Sequence, residues 1–545
     1  MTRIKRINSF LLVVIISFFT YSSSNLYPQQ NQLQIITCLK QTGKYCSFGR
    51  SVSGIGDINM DGYDDVIIGN DTKNDTGEAS IFYGGVYMDS IPDIILHGES
   101  EHGCFGSTVK SIGDVNGDGY EDILIGDPGY GAPSEYTKGR AYLYFGGAKF
   151  DTIPDLILTG ENKYDQFGSG LPKNPGDVNK DGYDDILVSA PDYGLEPNVF
   201  RGRVYLYYGG EKIDNIPDWI VTGNEEESRF GHEVVLEDVN GDGYDDILVA
   251  ATPSHPHENP DRMQLSIFFG GENPDTLKDY FIEYSNINAM DFKILIAQDF
   301  NNDGFGDFTF KYFYKNSLYF GNAVIDTVPD VELVMWPLQD VNKLYNAGDV
   351  NGDGYQDIIA RGVAAYSSSA GLYLGGNPMN GEYDWTCGGS GGGIYAVNGA
   401  GDVNGDGCDD IIIGETMNYG RDWDWGKAWI LAGNPNLVDI GTGVEDEKIE
   451  KIPIGFTLYQ NYPNPFNSST TIRYKLDSMS IIELKIYNLT GEEVRMLVHN
   501  SQDPGEHEVK WDGKDNHGKE VSSGIYFIQL NQRNCQKLIK TVLIR

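Results

Sequence analysis

Along most of the chain, apolar runs of strand length alternate with polar turns, and the order of the runs repeats. Each unit begins with a short apolar segment that leads into an acidic loop. A run such as Asp122-Ile-Leu-Ile-Gly126 or Asp246-Ile-Leu-Val-Ala250 leaves the loop. An alternating aromatic stretch then ends in a Gly pair (Tyr142 to Gly147, Val204 to Gly210, Ser266 to Gly271), and a piece such as Ile153-Pro-Asp-Leu-Ile-Leu-Thr-Gly160 completes the unit. These pieces are rich in β-branched and aromatic residues and bounded by Gly, Asn and Pro, so each predicts a β-strand.

The acidic loop reads D-x-N-x-D-G-x-x-D and occurs seven times, starting at Asp57, Asp114, Asp177, Asp238, Asp299, Asp349 and Asp402. Four strands per unit and seven units predict an all-β fold, a seven-bladed β-propeller over residues 25–440. The seventh unit has no good copy of the fourth piece. Leu33 to Leu39 precedes Phe48-Gly49 much as Ile153 to Gly160 precedes Phe167-Gly168. The N-terminal strand is therefore expected to complete the last blade and cover its edge.

Carboxylates at positions 1, 5 and 9, Asn at 3 and Gly at 6 converge oxygens on one point, and position 7 can add its backbone carbonyl. Such crowding suits a hard cation, calcium above all. The candidate metal residues are Asp57, Asn59, Asp61, Tyr63 and Asp65 in the first loop and Asp114, Asn116, Asp118, Tyr120 and Asp122 in the second. The third and fourth give Asp177, Asn179, Asp181, Tyr183, Asp185 and Asp238, Asn240, Asp242, Tyr244, Asp246. The fifth and sixth give Asp299, Asn301, Asp303, Phe305, Asp307 and Asp349, Asn351, Asp353, Tyr355, Asp357; the seventh gives Asp402, Asn404, Asp406, Cys408 and Asp410. An EF-hand would need Glu at position 12, where this chain has Ile68, Ile125, Val188, Val249, Phe310, Ala360 and Ile413.

The charge balance sharpens this picture. The 545 residues include 80 Asp and Glu against 40 Lys and Arg, a net charge of −40 that repels polyanions and argues against a nucleic-acid partner. Residues 31–452 hold 26 basic and 70 acidic groups, a net of −44, and seven Ca²⁺ would leave −30. Without a bidentate Glu the sites should be of the weak extracellular kind, with Kd on the order of 10⁻⁴ to 10⁻³ M. At free calcium ~10 times Kd, linkage gives about 1.4 kcal/mol per site and roughly 10 kcal/mol over all sites, so up to seven structural ions are expected.

With these loops and the pairs Phe48-Gly49, Phe105-Gly106, Phe167-Gly168 and Phe230-Gly231, residues 31–440 resemble the FG-GAP propellers of the integrin α-subunit type. The resemblance implies calcium at the loop positions named above and a role in extracellular recognition. Units five to seven lack the Phe-Gly pair, and unit five has Gly306 where others have an acidic or amide residue.

Loops between second and third strands share a face opposite the acidic loops. Several are long: Asp127 to Gly139, Asp192 to Gly202, Thr252 to Arg262 and Thr416 to Gly426. They carry Tyr130, Tyr136, Tyr193, Tyr419, Trp423 and Trp425, flat residues suited to holding an extracellular glycan or protein ligand. No catalytic residue is singled out. Gly388-Gly-Ser390-Gly-Gly392 fits G-x-S-x-G but lies in a glycine-rich stretch before an acidic loop, and His255-Pro-His257-Glu258 reads as a solvated loop. A polysaccharide-degrading enzyme on the same scaffold is the alternative reading, because a carboxylate dyad is recognised only in three dimensions.

The two ends differ from the repeats. Arg3, Lys5 and Arg6, the apolar run Phe10 to Phe19, and Ser22 with Ser24 read as a signal peptide, residues 1–24. No later run is long enough to span a bilayer, so the mature chain is expected to lack a transmembrane segment. Beyond a linker at 441–452, residues 453–545 carry 11 basic and 10 acidic groups, and their alternating stretches predict a β-sandwich of about seven strands.

In that tail, Leu458-Tyr-Gln-Asn-Tyr-Pro-Asn-Pro-Phe-Asn467, Trp511-Asp-Gly, Gly524-Ile-Tyr-Phe527 and the basic end Lys540 to Arg545 resemble a type IX secretion C-terminal sorting domain. The resemblance implies the type IX secretion machinery as a partner and a protein secreted or attached to the bacterial outer surface. Six Cys are too few for a disulfide scaffold, and pairing of Cys38 with Cys46 is left open.

Overall fold

The computed structural model describes residues 33–42, 46–131, 137–194, 200–226, 228–251, 262–285, 296–312, 315–325, 328–333, 341–364, 367–388, 393–416, 425–437, 456–459, 461–476, 480–488, 493–502, 505–516, 518–532 and 535–544. The chain divides into two units, Met1–Gly443 and Val444–Arg545. Apart from one 3-10 turn at Lys73–Asp75, every regular element among the described residues is a strand. Residues 1–24, read above as a signal peptide, and 441–452, read as a linker, lie outside the described residues.

In the first unit the described strands form seven antiparallel sheets. In the second sheet Thr108–Ser111, Ile123–Asp127, Arg140–Tyr144 and Leu156–Thr159 lie side by side in chain order, with Val109 opposite Ile125, Ile125 opposite Tyr142 and Tyr142 opposite Ile157. The second strands are continuous apolar runs because both of their faces are covered. Ile67 and Ile81 of the first sheet pack with Ile123, Ile125 and Tyr142 of the second in one buried cluster. Each such Ile contributes roughly 1.5–3 kcal/mol. Sheets stacked face to face in sequence form a β-propeller.

The ring closes where the sequence predicts. Gln34–Thr42 adds as the outer strand beside Trp425–Ala432, Asp410–Thr416 and Gly393–Gly401. Leu39 of this strand joins Ala428 and Ile430 of the last sheet and Val52 and Ile68 of the first in a shared core.

One sheet departs from the four-strand expectation. The third consists of Ile186–Ala190, Arg203–Tyr207 and Trp219–Thr222. The segment before its acidic loop contains Pro172 and Pro175, which have no N–H to donate to a ladder, and only the isolated bridge Gly170 to Ser189 forms there. Asn174 partly compensates, donating from Nδ2 to the Ala297 carbonyl and, at 3.2 Å, to Glu237.

The Phe-Gly pairs sit at the joints between sheets. All four Phe rings are buried, and Phe105 and Phe167 each meet a Tyr of their own sheet edge-on at 5.3 Å. The following glycines adopt left-handed backbone, φ +82° to +88°. A Cβ on Gly106 would stand 2.5 Å from the Glu78 carbonyl of the preceding sheet, so only glycine lets the two backbones meet.

The second unit is a seven-stranded sandwich among the described residues. One sheet holds Phe456–Leu458, Thr470–Leu476 and Gly505–Trp511. The other holds Glu493–Gln502, Ser480–Asn488, Gly524–Gln532 and Cys535–Leu543. Alternate residues Ile472, Tyr474 and Leu476 face Ile482, Leu484, Ile486 and Ile528 across one core, where Trp511 lies between Phe466 (5.4 Å) and Tyr526 (5.2 Å). The Asn-Tyr-Pro-Asn-Pro-Phe segment clasps the two sheets together. Asn461 Nδ2 donates to the Thr470 and Thr541 hydroxyls at 2.8 and 2.7 Å, and Asn464 Oδ1 accepts from the Val542 amide at 2.8 Å.

Candidate functional site

The seven acidic loops share one geometry. Position 6 is Gly at φ +84° to +94°, and position 4 is also left-handed, which Met60, Lys180 and Asn302 adopt at +56° to +60° where other copies have Gly. These two reversals curl the loop around its own acidic side chains. In the third loop the Asp177 carboxylate accepts from the Asp181 amide at 3.1 Å and the Gly182 amide at 2.8 Å, Asn179 Oδ1 accepts from Asp181 at 2.9 Å, and Asp181 accepts from Tyr183 at 3.1 Å. In the first loop Asn59 Oδ1 is buried with no hydrogen-bond partner.

The position-9 aspartates Asp65, Asp122, Asp185, Asp246, Asp307, Asp357 and Asp410 are all fully buried. Each uses both oxygens. One accepts from the position-2 amide of its own loop, and the other from the first Gly after the third strand. For Asp185 these are Val178 at 2.8 Å and Gly209 at 2.9 Å, and for Asp357 Val350 at 2.8 Å and Gly375 at 2.7 Å. Burial pushes Asp185 up to about 8, with Asp177 and Asp181 adding to the rise and the two amides opposing it.

Adjacent loops are tied into a closed ring. The second residue of each Gly pair, or Asn in units five and seven, donates to the position-2 carbonyl of the preceding loop. The bonds run from Gly85 to Val403, Gly147 to Ile58, Gly210 to Val115, Gly271 to Val178, Asn322 to Val239, Gly376 to Phe300 and Asn434 to Val350, at 2.7–3.1 Å. The acid at position 8 adds a further link: Asp64 accepts from the Asp402 amide at 2.8 Å, Asp184 from Asp114 at 2.8 Å and Asp245 from Asp177 at 2.7 Å. Gly306 takes this position in unit five because the Glu237 side chain fills the space, 2.1 Å from where a Cβ would stand.

The first Gly of each pair is equally constrained, since a Cβ there would lie 2.2–2.5 Å from the position-8 carbonyl. Replacing Gly209 by Ala is therefore expected to cost about 2 kcal/mol, through forced backbone displacement, and to lower the urea midpoint of unfolding.

Among the described residues, no three His, Cys, Asp or Glu side chains form a group that could hold a metal ion. The position-9 carboxylate is turned toward backbone amides, and the oxygens at positions 1, 3 and 5 toward amides of their own loop, with Asn59 Oδ1 as an exception. The donor set nevertheless suits a hard cation: every candidate donor atom is oxygen, carboxylate oxygens with a single hydrogen bond, such as both of Asp185, keep a further lone pair, and Asn59 Oδ1 is unpartnered.

The aromatic residues of the opposite loops are distributed differently from the sequence expectation. Tyr193 is 3% exposed, with the Arg203 guanidinium 3.7 Å from its ring centroid, so its ring packs into the fold instead of offering a free surface. Tyr130 is half-buried, and Arg140 covers one face at 3.5 Å. Tyr136, Tyr419 and Trp423 lie outside the described residues, as do Ser390 and the His255 to Glu258 stretch; Trp425 opens its strand, and its side chain lies outside them too. Exposed apolar side chains are found instead in the turns after the third strands, including Tyr87, Ile91, Ile153, Ile216 and Leu277. Cys38 and Cys46 are both free thiols.

Sequence comparison agrees with this architecture. Residues 48–82 and 105–144 match the FG-GAP repeat, residues 177–249 the FG-GAP-like repeat, and residues 466–535 the FlgD Ig-like domain. The first unit is thus a β-propeller carrying FG-GAP repeats. Among curated proteins the chain is similar to integrin alpha-5 of Xenopus laevis, 33% identical over 214 residues, covering 37% of this chain and 20% of that protein. It is 30% identical over 202 residues to the phosphatidylinositol-glycan-specific phospholipase D of Homo sapiens, 35% of this chain and 23% of that enzyme. It is 37% identical over 169 residues to integrin alpha-IIb of Mus musculus, 29% and 16% of the two chains. The matched regions span about a fifth of each relative's length. No helix among the described residues is long and apolar enough to cross a membrane.

Proposed function

We propose that this protein is a secreted or surface-attached recognition module whose propeller is held together by calcium in the acidic loops. The reading is carried by one observation, the same oxygen donors at the same offsets in seven loops that are joined head to tail around the ring. In each loop the side chains at positions 1, 3, 5 and 9 and the carbonyl of position 7 would hold the ion, which supplies positive charge to a cluster of carboxylates that runs from the buried position 9 to the exposed position 5. Similarity to integrin α-subunits supports recognition as the role, with a glycan or protein as ligand.

The ligand face in this reading is the one carrying the long loops after the second strands. A glycan array and a panel of surface proteins, run with an assay for new reducing ends, test it: retention without product identifies a binding module, and product formation identifies an enzyme. Replacing Trp423 and Trp425 together by Ala is expected to weaken retention at least about tenfold; unchanged retention contradicts this choice of face. The second unit is proposed to act as a type IX sorting domain. Residues 453–545 fused to a carrier should deliver it across the outer membrane of a type IX-secreting bacterium, and a carrier left in the periplasm contradicts the assignment.

A further inference from the structure

The seven acidic loops carry the same donors, but their surroundings differ at the glycine of position 6. A Cβ built there would meet nothing within 4 Å on Gly62, Gly182, Gly304, Gly354 and Gly407. On Gly119 it would meet Met60 Cε at 3.2 Å, and on Gly243 it would stand 2.1 Å from Lys180 Nζ. Both contacts come from position 4 of the loop before, Met60 of the first reaching the second and Lys180 of the third reaching the fourth. Asn302 of the fifth reaches the sixth in the same way, donating from Nδ2 to the Gly354 carbonyl at 3.1 Å. All three residues have left-handed backbone, φ +56° to +60°, and all three side chains run to the same place in the next loop, so the loop conformation sets their direction.

Of these side chains Lys180 alone is charged. Gly243 joins Asp242 to Tyr244, whose carboxylate and carbonyl are the candidate donors at positions 5 and 7 of the fourth loop. The Lys180 ammonium stands against this stretch and lies 5.2 Å from the centroid of the Tyr244 ring, a cation–π contact that favours its place there. Calcium affinity follows the charge gathered at a site, and a fixed positive charge beside the donors opposes a divalent ion. Lys180 is exposed, so water and salt weaken its effect without abolishing it.

We propose that Lys180 tunes the fourth acidic loop, making it a weaker calcium site than its own donors would form. The inference rests on the reading of the acidic loops as calcium sites. One loop thereby sets the affinity of the next, and seven nearly identical donor sets do not fill at one calcium concentration. The second and sixth loops, met by a thioether and an amide, escape this repulsion.

Equilibrium dialysis of the full chain against calcium at low ionic strength is the test. Lys180→Met keeps the reach that Met60 shows and removes the charge, and it should tighten one site at least about threefold. Lys180→Arg should match wild type, and added sodium chloride should shrink the gain. With the fourth loop disabled by Asp242→Ala, Lys180→Met should change nothing; with the third disabled by Asp181→Ala, the gain should persist. A wild-type protein that binds no calcium saturably overturns this proposal together with the calcium reading. Saturable binding that Lys180→Met leaves unchanged, or a gain that survives Asp242→Ala or disappears in Asp181→Ala, overturns this proposal alone.

Discussion

Replacing Asp185 by Ala should destabilise the propeller by about 4 kcal/mol in chelator, and by more in calcium, where a ligand of the ion is lost as well. Its carboxylate is fully buried and accepts from the Val178 amide at 2.8 Å and the Gly209 amide at 2.9 Å. Truncation leaves both buried N–H groups without a partner, at roughly 1–3 kcal/mol each. Asp185→Asn should recover about half the loss, because the amide oxygen serves one donor while its NH₂ group faces the other. Asp181, at position 5 of the same loop, is exposed and accepts only from within the loop. Asp181→Ala should therefore cost stability in calcium and almost none in chelator. Urea unfolding followed by tryptophan fluorescence separates the two classes. Equal losses for both variants in chelator would show that position 9 is not the structural staple described here.

Removing calcium should have a larger effect still. With ions held in all the loops at concentrations about tenfold above Kd, linkage supplies roughly 10 kcal/mol in total, which rivals the whole stability of an ordinary domain. The loops are also the points at which each sheet is bonded to the preceding one, through contacts such as Gly147 to Ile58 and Gly210 to Val115 at 2.8 Å. Loosening them should therefore loosen the ring as a whole. EGTA is expected to lower the unfolding midpoint sharply and to broaden the transition, and excess calcium should restore both. Magnesium should restore less, because it dehydrates reluctantly and demands a stricter octahedral geometry.

The repeat was legible because each unit writes the same strand pattern beside the same acidic loop, and the loop cannot be mistaken for a generic turn. Ring closure was legible for the same reason, since the strand missing after Trp425–Ala432 is supplied in pattern by Leu33 to Leu39. Other features depend on partners that local pattern does not show. The role of the acid at position 8, and of the second glycine after the third strand, lies in a neighbouring loop: Asp184 answers Asp114, 70 residues away, and Gly210 answers Val115, 95 residues away.

Pro172 and Pro175 were visible, but four strands per unit is a property of the repeat, and local donor loss overrode it in the third sheet. Composition could not distinguish Tyr193 as a packed ring from an exposed platform, because the deciding contact is Arg203, on the far side of a loop. Lysine contacts across the ring were hidden in the same way. Lys110 and Lys173 are widely separated in sequence until the ring brings both to one tyrosine, Tyr345.

Equilibrium dialysis of the mature protein against graded calcium tests the central claim most directly. Calcium held by the acidic loops predicts saturable binding that approaches seven ions per chain, with half-saturation on the order of 10⁻⁴ to 10⁻³ M. Binding that never rises above the background of a similarly acidic protein would contradict it.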